Sequence, residues 1–169
     1  MTLRLILTRH AKSGWDNPEL SDHERTLTKR GRHAAARIGA WLNGNGYVPD
    51  LVLSSDATRT RETWACMQDA LPAPARTEWT RSLYLAGTGA ILTALRGAGD
   101  ARSVLLLAHN PGIAQFAASI VAMPPHHARF RDYPTCATLV AEFDGDDWRT
   151  VAFGTGRVVA FTVPADLRD

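Results

Sequence analysis

Cysteine and lysine are both scarce in this sequence. The chain has two cysteines, Cys66 and Cys136, and they form no Cys-x-x-Cys pair, so the sequence indicates neither a disulfide framework nor a zinc site. We interpret both as reduced, buried small residues of an intracellular protein. Lysine occurs twice against 17 arginines. Arginine is the side chain best suited to bidentate binding of phosphate or carboxylate.

Strong net charge and long apolar runs are missing as well. The formal net charge is +2, and without a run of Lys or Arg this gives no reason to expect nucleic-acid binding. The apolar run at 1–7 is too short for the core of a signal peptide, and no stretch approaches the roughly 20 apolar residues of a membrane span. We therefore expect a cytoplasmic protein that binds no membrane. A monomer is favoured, although the sequence does not show the oligomeric state.

The composition favours one domain. Of the 169 residues, 45% are hydrophobic, which suffices for a single domain over 1–169 with its own core. Short apolar runs predict strands, and apolar residues at helical spacing predict helices between them. The predicted strands are 3–8, 51–53, 77–80, 103–108, 137–143 and 157–163. The predicted helices are 28–43, one from Ser54 or Ser55 to about 70, 88–96 and 112–123, and 11–26 is a long polar loop. This alternation is typical of a three-layer α/β/α sandwich with a mostly parallel central sheet.

Polar clusters follow three of the predicted strands. They occupy 8–10, 54–59 and 109–112, and the carboxyl ends of parallel strands meet at one edge of a sheet. We therefore expect Arg9, His10, Arg59 and His109 to converge there, although 100 residues separate the first from the last.

Two histidines beside two arginines suit a phosphoryl group. The guanidinium fork matches phosphate oxygens, and a neutral imidazole has a lone pair that can attack phosphorus near pH 7. A second histidine in its protonated form can donate to the same oxygens. The helix expected to start near Ser55 would add backbone N–H groups directed at an anion.

Six segments of the chain form an ordered set of motifs: 8–13, 25–31, 54–63, 83–84, 108–112 and 134–137. In this order they resemble the motifs of the histidine phosphatase (phosphoglycerate mutase-like) superfamily. The first segment contains the Arg-His pair, with Ala11 where glycine is usual, and the small branch that includes the phosphohistidine phosphatase SixA tolerates alanine there.

The resemblance implies roles for individual residues. His10 would be the nucleophile that becomes phosphorylated, and Arg9, Arg59 and His109 would hold the phosphoryl oxygens. Ser13 and Asp16, in the loop after the first strand, are assigned to substrate binding. Thr63 lies four residues after Arg59 on the same helix face, where it is either a supporting residue or an ordinary polar residue of the helix.

The sequence departs from the family at the positions of the general acid. Asp16 stands where the mutases have asparagine, and the segment 83–87 has no carboxylate where mutases and many phosphatases have a glutamate. Asn110 stands where another branch has aspartate. The proton donor could be Asp16, a water molecule or His109.

The missing acid favours a substrate whose leaving group needs little help. Imidazole, with a conjugate-acid pKa of about 6.5, leaves more readily than an alkoxide. We therefore predict a phosphatase acting on phosphohistidine of a partner protein. The alternatives are a small-molecule phosphomonoesterase, a mutase, and a phosphate-binding module without turnover. No cofactor or metal is expected, and a metal site at His126 and His127 with His23 or His33 is not favoured.

Overall fold

Six strands of the computed structural model form one sheet, and the structure describes residues 1–74 and 76–167. The strands are β1 (Thr2–Arg9), β2 (Leu51–Ser55), β3 (Arg76–Thr80), β4 (Ser103–Ala108), β5 (Thr138–Asp144) and β6 (Arg157–Thr162). The helices are α1 (Lys29–Gly44), α2 (Thr58–Gln68), α3 (Thr88–Arg96) and α4 (Gly112–Ile120). Short 3-10 turns occupy Asp22–Glu24, Arg81–Leu83, Trp148–Thr150 and Pro164–Asp166.

The strand order in the sheet is β3-β2-β4-β1-β5-β6. β3, β2, β4 and β1 pair in parallel, whereas β5 pairs antiparallel with both β1 and β6. β1 and β4 are the central strands, and each is a nearly continuous apolar run because both of its faces are covered. The predicted mostly parallel sheet is confirmed.

The sheet separates two apolar cores. Side chains alternate along β1, so Leu5 and Leu7 face one core and Ile6 faces the other. The first core lies under α3 and α4, and the second lies under α1 and α2. This arrangement confirms the three-layer α/β/α sandwich.

The loop between β1 and α1, here called the first loop (residues 11–28), is closed at its base. Ser13 and Leu27 form an isolated antiparallel bridge, and the N–H of Gly14 donates to the carbonyl of Thr26 at 3.0 Å. Inside the loop the short turn at Asp22–Glu24 is capped by Ser21 and Glu24. The predicted long polar loop is therefore confirmed as a connection and contains regular hydrogen bonding over part of its length.

The first turn of α1 packs directly against the first loop. The N–H of Thr28 donates to the carbonyl of Lys12 at 2.9 Å, and the Thr28 side chain caps the helix by accepting from the N–H of Gly31. A Cβ atom at Gly31 would lie 2.3 Å from the Lys12 oxygen. Only glycine allows this close approach.

Two helix boundaries differ from the prediction. α2 begins at Thr58, after Ala57, with no side-chain cap, because Ser54 and Ser55 are the last residues of β2. α4 ends at Ile120, because the next residue, Val121, bridges to Gly156. Among the described residues, no helix is long and apolar enough to cross a membrane.

Candidate active site

The register of the sheet brings the two histidines together. Arg9, the last residue of β1, pairs with Ala108, the last residue of β4. The next residue on each strand is a histidine, and the ring centroids of His10 and His109 lie 5.3 Å apart. The predicted convergence of these two side chains at one sheet edge is observed.

A chain of hydrogen bonds orients His10. Its Nδ1 lies 2.7 Å from the carbonyl oxygen of Ala11. A carbonyl only accepts, so Nδ1 carries the proton and Nε2 keeps its lone pair. The N–H of Ala11 donates to the Thr63 hydroxyl at 2.9 Å, and that hydroxyl donates to the carbonyl of Arg59 at 2.7 Å. Thr63 therefore supports the residue that orients the His10 ring.

His10 is electrically neutral near pH 7. Its side chain is buried, with 6% of the residue exposed. Burial lowers the pKa of His10 well below 6.5, and the positive charges of Arg59 and Arg9 lower it further. A neutral ring with a free Nε2 is the form that can attack phosphorus.

His109 is neutral as well, in contrast to the protonated donor that the sequence suggested. Burial lowers the pKa of His109 to about 3, and the charge of Arg59 contributes in the same direction. Its Nε2 lies 2.7 Å from the hydroxyl of Ser55. The neighbouring arginines disfavour a third positive charge, so His109 is a neutral ring while the cleft holds no anion.

The two arginines are held at the same place by different partners. Arg59, 2% exposed, donates from Nη1 to the carbonyl of Asp22 at 2.7 Å and from Nη2 to its Oδ2 at 3.1 Å. Arg9 donates from Nη1 to the carbonyl of Tyr133 at 3.3 Å. Each guanidinium has five N–H donors, so both retain donors for a ligand.

Several buried polar atoms at this site have no hydrogen-bond partner. Across the described residues, five buried side-chain nitrogen and oxygen atoms are unpaired, and four of them belong to residues that line one cleft. A buried polar atom without a partner is rare in proteins. The four atoms are Arg9 Nε, Arg59 Nε, His109 Nδ1 and Asn110 Oδ1. The two arginine nitrogens are N–H donors that suit an anion, and His109 Nδ1 is a third such donor when the Ser55 hydroxyl donates to His109 Nε2.

The carboxylate in this cleft is Asp22, which the sequence interpretation missed. Its carboxylate accepts from Arg59, from Arg25 Nε at 3.1 Å and from the Tyr84 hydroxyl. Partial burial raises its pKa, but the hydrogen bond from Tyr84 and the charge of Arg59 outweigh burial and lower the pKa to about 2. Asp22 is therefore ionised at neutral pH.

The two predicted substrate-binding residues of the first loop differ in position. Ser13 lines the cleft, and its hydroxyl accepts from Arg25 Nη1 at 2.7 Å. Asp16 is exposed and does not line the cleft. Substrate binding by Asp16 therefore stays a prediction. Its neighbour Trp15 lies at the rim of the cleft, with Arg25 stacked 3.6 Å above the Trp15 ring.

The predicted alternative of a metal site has no matching cluster. His23 pairs with Asp56 at 2.7 Å, and His127 pairs with Asp166 at 2.8 Å. Within 1–74 and 76–167, no group of three or more His, Cys, Asp or Glu side chains could hold a metal ion.

The cleft as a whole measures about 400 Å³ and combines a neutral histidine with two arginines. An imidazole lone pair flanked by guanidinium donors suits transfer of a phosphoryl group, whose equatorial oxygens carry the charge. Its rim is apolar in two places, Trp15 at 74% exposure and Leu85 at 55%.

Comparison with known proteins identifies the family. Residues 5–80 match the model of the histidine phosphatase superfamily, branch 1. An uncharacterized chloroplastic protein of Arabidopsis thaliana is 55% identical over 65 residues, which are 38% of this chain and 30% of that protein. An uncharacterized protein of Mycobacterium tuberculosis is 32% identical over 162 residues, 92% of this chain and 99% of that protein.

Among solved structures, a chain assigned as the phosphohistidine phosphatase SixA of Nakamurella multipartitia has a TM-score of 0.83 and 27% identity. The match covers 97% of both chains. The protein therefore belongs to the histidine phosphatase superfamily, as a phosphatase of its SixA-like branch.

Proposed function

We propose that the protein removes phosphoryl groups from phosphohistidine on a partner protein, through a phosphohistidine intermediate on its own His10. The observation that carries this proposal is the neutral, oriented His10 ring beside three unpaired buried nitrogens, on Arg9, Arg59 and His109. A phosphoryl group is the ligand that uses all of these features together.

In the first step, the Nε2 lone pair of His10 attacks phosphorus. The bond from phosphorus to the leaving group breaks, and its electron pair departs with that group. Arg9, Arg59 and His109 donate to the equatorial oxygens, where charge accumulates in the transition state.

In the second step, a water molecule attacks the phosphorus on His10. The P–N bond breaks, its electron pair returns to Nε2, and inorganic phosphate leaves. The Ala11 carbonyl accepts from Nδ1 throughout and disperses the positive charge that the ring carries while it is phosphorylated. The same donors serve both steps.

The protonation state of the cleft supports a nitrogen-bound phosphoryl group. Asp22 is the one carboxyl among the described residues that line the cleft. With its pKa at about 2 it holds no proton to donate. Without a proton donor, an alkyl phosphate would have to release an alkoxide anion, which is a poor leaving group. Phosphohistidine protonated at its other ring nitrogen releases neutral imidazole instead. The site thus fits a P–N bond better than an alkyl phosphate ester.

The rim of the cleft supports a protein as the carrier of that group. Trp15 and Leu85 are large apolar side chains that line the cleft and remain exposed. Exposed apolar residues at the edge of a polar site are typical of surfaces that receive another macromolecule. The similarity to a structure assigned as a phosphohistidine phosphatase points to the same substrate class.

Trapping of the phosphoenzyme tests the proposal. The protein is mixed with a ³²P-labelled phosphohistidine protein or with p-nitrophenyl phosphate and quenched in alkali. We expect an acid-labile, alkali-stable label that is absent from His10→Ala. The matched control is His33→Ala, an exposed histidine of α1, which should label normally.

Two results would contradict the proposal in different ways. A label that persists in His10→Ala would exclude His10 as the nucleophile. Rapid turnover of p-nitrophenyl phosphate or sugar phosphates, with none of phosphohistidine proteins, would leave the mechanism intact and identify a small-molecule phosphomonoesterase.

A further inference from the structure

A second groove opens beside the catalytic cleft. It measures about 420 Å³, and its charged lining residues are Lys12, Arg30, Arg37 and Arg129, with no acidic side chain among the described residues that line it. We call it the basic groove. Lys12 and Thr135 line both the basic groove and the catalytic cleft, so the two are continuous.

The positive charge of the basic groove is only partly balanced. Arg129 pairs with Asp132 at 3.0 Å, and Arg37 donates to a backbone carbonyl, which carries no charge. Lys12 and Arg30 have no acidic partner within the described part of the chain. Among the described residues, three cations of the groove, Lys12, Arg30 and Arg37, therefore have no acidic partner, in a chain whose net charge is +2.

Two acidic side chains close in sequence to residues of the groove lining, Asp132 and Asp166, are each bound to another residue. Asp132 is bound to Arg129, and Asp166 accepts from His127 Nε2 at 2.8 Å. Neither lines the basic groove. Among the described residues that line the groove, no carboxylate therefore offsets its positive field.

The charged residues of the groove extend from a position near the nucleophile along one face of α1. Lys12 follows His10 by two residues. Arg30 and Arg37 lie seven positions apart in α1, which places them on one face of the helix about 10 Å from each other. That distance corresponds to about three residues of extended chain.

We propose that the basic groove docks an acidic segment of the phosphohistidine-bearing partner, with Asp or Glu side chains close to the phosphorylated histidine. The proposal rests on the proposed function, because it assumes that a protein substrate enters the adjoining cleft. Exposed charges at such a rim act mainly on association and on salt dependence. The groove should therefore affect KM and leave the chemical step unchanged.

The test uses two chemically phosphorylated peptides that each contain one phosphohistidine. One has Asp and Glu after that residue, and the other has Asn and Gln at the same positions. For the native protein at about 20 mM salt we expect KM to be about 5- to 30-fold lower for the acidic peptide, with equal kcat, and the difference to shrink at about 300 mM salt.

The variant Arg30→Gln/Arg37→Gln should lose this preference and keep its kcat/KM for p-nitrophenyl phosphate. The matched control, Arg32→Gln/Arg157→Gln, removes the same charge from exposed positions outside the groove and should keep the preference. Arg30→Gln alone should lose part of it, and Arg30→Glu should lose more of it than Arg30→Gln. These single variants keep the test valid if removing Arg37 disturbs folding.

Three outcomes would overturn the proposal. Equal KM values for the two peptides in the native protein, or equal preference in the groove variant and its control, would exclude docking while the phosphatase function stands. Turnover of p-nitrophenyl phosphate without turnover of either peptide would exclude the proposed substrate and the docking together. Inhibition by an oligonucleotide, but not by an unphosphorylated acidic peptide, would assign the groove to nucleic acid instead.

Discussion

The catalytic cleft is built from two regions that are held in different ways. Arg9, His10, Arg59 and His109 lie at the ends of strands or in the first turn of a helix, and the last three are at most 6% exposed. The first loop contributes Ser13, Trp15, Asp22 and Arg25, and much of it is exposed or half-buried.

The difference shows which part of the cleft determines the reaction and which part adjusts it. The positions of Arg9, His10, Arg59 and His109 are fixed by sheet register and core packing. These four residues therefore supply the same phosphoryl chemistry to any substrate. The first-loop residues add charged side chains of both signs and the exposed Trp15 ring, and these act on what binds. Five predictions test this division, from the largest expected effect to the smallest.

Removing one of the buried donors that bind the phosphoryl oxygens should reduce turnover of every substrate. Arg59→Ala removes buried N–H donors from the phosphoryl oxygens, and we expect kcat to fall by about 10²–10³. Steady-state kinetics on a phosphohistidine peptide and on p-nitrophenyl phosphate should show similar losses. The control is Arg61→Ala, two residues along α2 and exposed, which should stay near the native rate. Losses restricted to one substrate would place Arg59 in substrate selection.

Loss of the hydrogen bond between Ala11 and Thr63, which supports His10, should cause the second-largest fall in kcat. Thr63→Val keeps the shape but leaves the N–H of Ala11 without its acceptor, which costs about 1–3 kcal/mol of stability. The His10 ring loses its fixed orientation, and we expect kcat to fall by about 10- to 50-fold.

Thr63→Ser, which retains the hydroxyl, should recover most of the kcat, and Thr93→Val on the exposed surface of α3 should change neither quantity. Thermal unfolding and kcat are the measurements. A loss of stability with native kcat would limit Thr63 to a structural role.

Asp22→Asn tests the first loop. Loss of one negative charge from the cleft should tighten binding of inorganic phosphate by about 3- to 10-fold, measured by calorimetry. Glu24→Gln, in the same turn but outside the cleft lining, should leave the affinity unchanged. Weaker phosphate binding in Asp22→Asn would show that its hold on Arg59 matters more than its charge.

The same carboxylate predicts a pH effect on stability. The folded state depresses the pKa of Asp22 from 3.8 to about 2. Its contribution to the free energy of unfolding is therefore complete above a pH of about 4 and is lost as the pH falls through about 2. Thermal unfolding of Asp22→Asn should depend less on pH over that interval than unfolding of the native protein. Parallel curves would exclude this contribution.

Asp16→Asn should have the smallest effect. Asp16 is exposed and outside the cleft, so kcat/KM should stay within about twofold of the native value on both substrates. A tenfold loss would restore Asp16 to the substrate-binding role that its sequence position suggested.

Much of the fold and the strand-end part of the site could be predicted, because local patterns determine them. The apolar run 103–108 is β4 to the residue, and the two histidines follow parallel neighbours of the sheet. The start of α2 could not be predicted, because the Ser55 hydroxyl that resembles a helix cap lies against His109, 54 residues away.

Asp22 shows the limit of local patterns most clearly. Its spacing of three from Arg25 was the one local signal. The partners that set its charge, Arg59 and Tyr84, are 37 and 62 residues away, and only the folded chain brings them together. Asp16 occupies the position where the mutases have asparagine, whereas the folded first loop places Asp22 among the residues that line the cleft.

The closed base of the first loop has a consequence for how such proteins diversify. Because the bridge between Ser13 and Leu27 brings the two ends of the loop together, the intervening segment resembles a compact surface loop whose ends are adjacent. Such a segment can be exchanged for another of different length or charge while β1 and α1 keep their places. A chimaera in which a relative's segment replaces this one should keep the nucleophile of this protein and acquire the substrate preference of that relative.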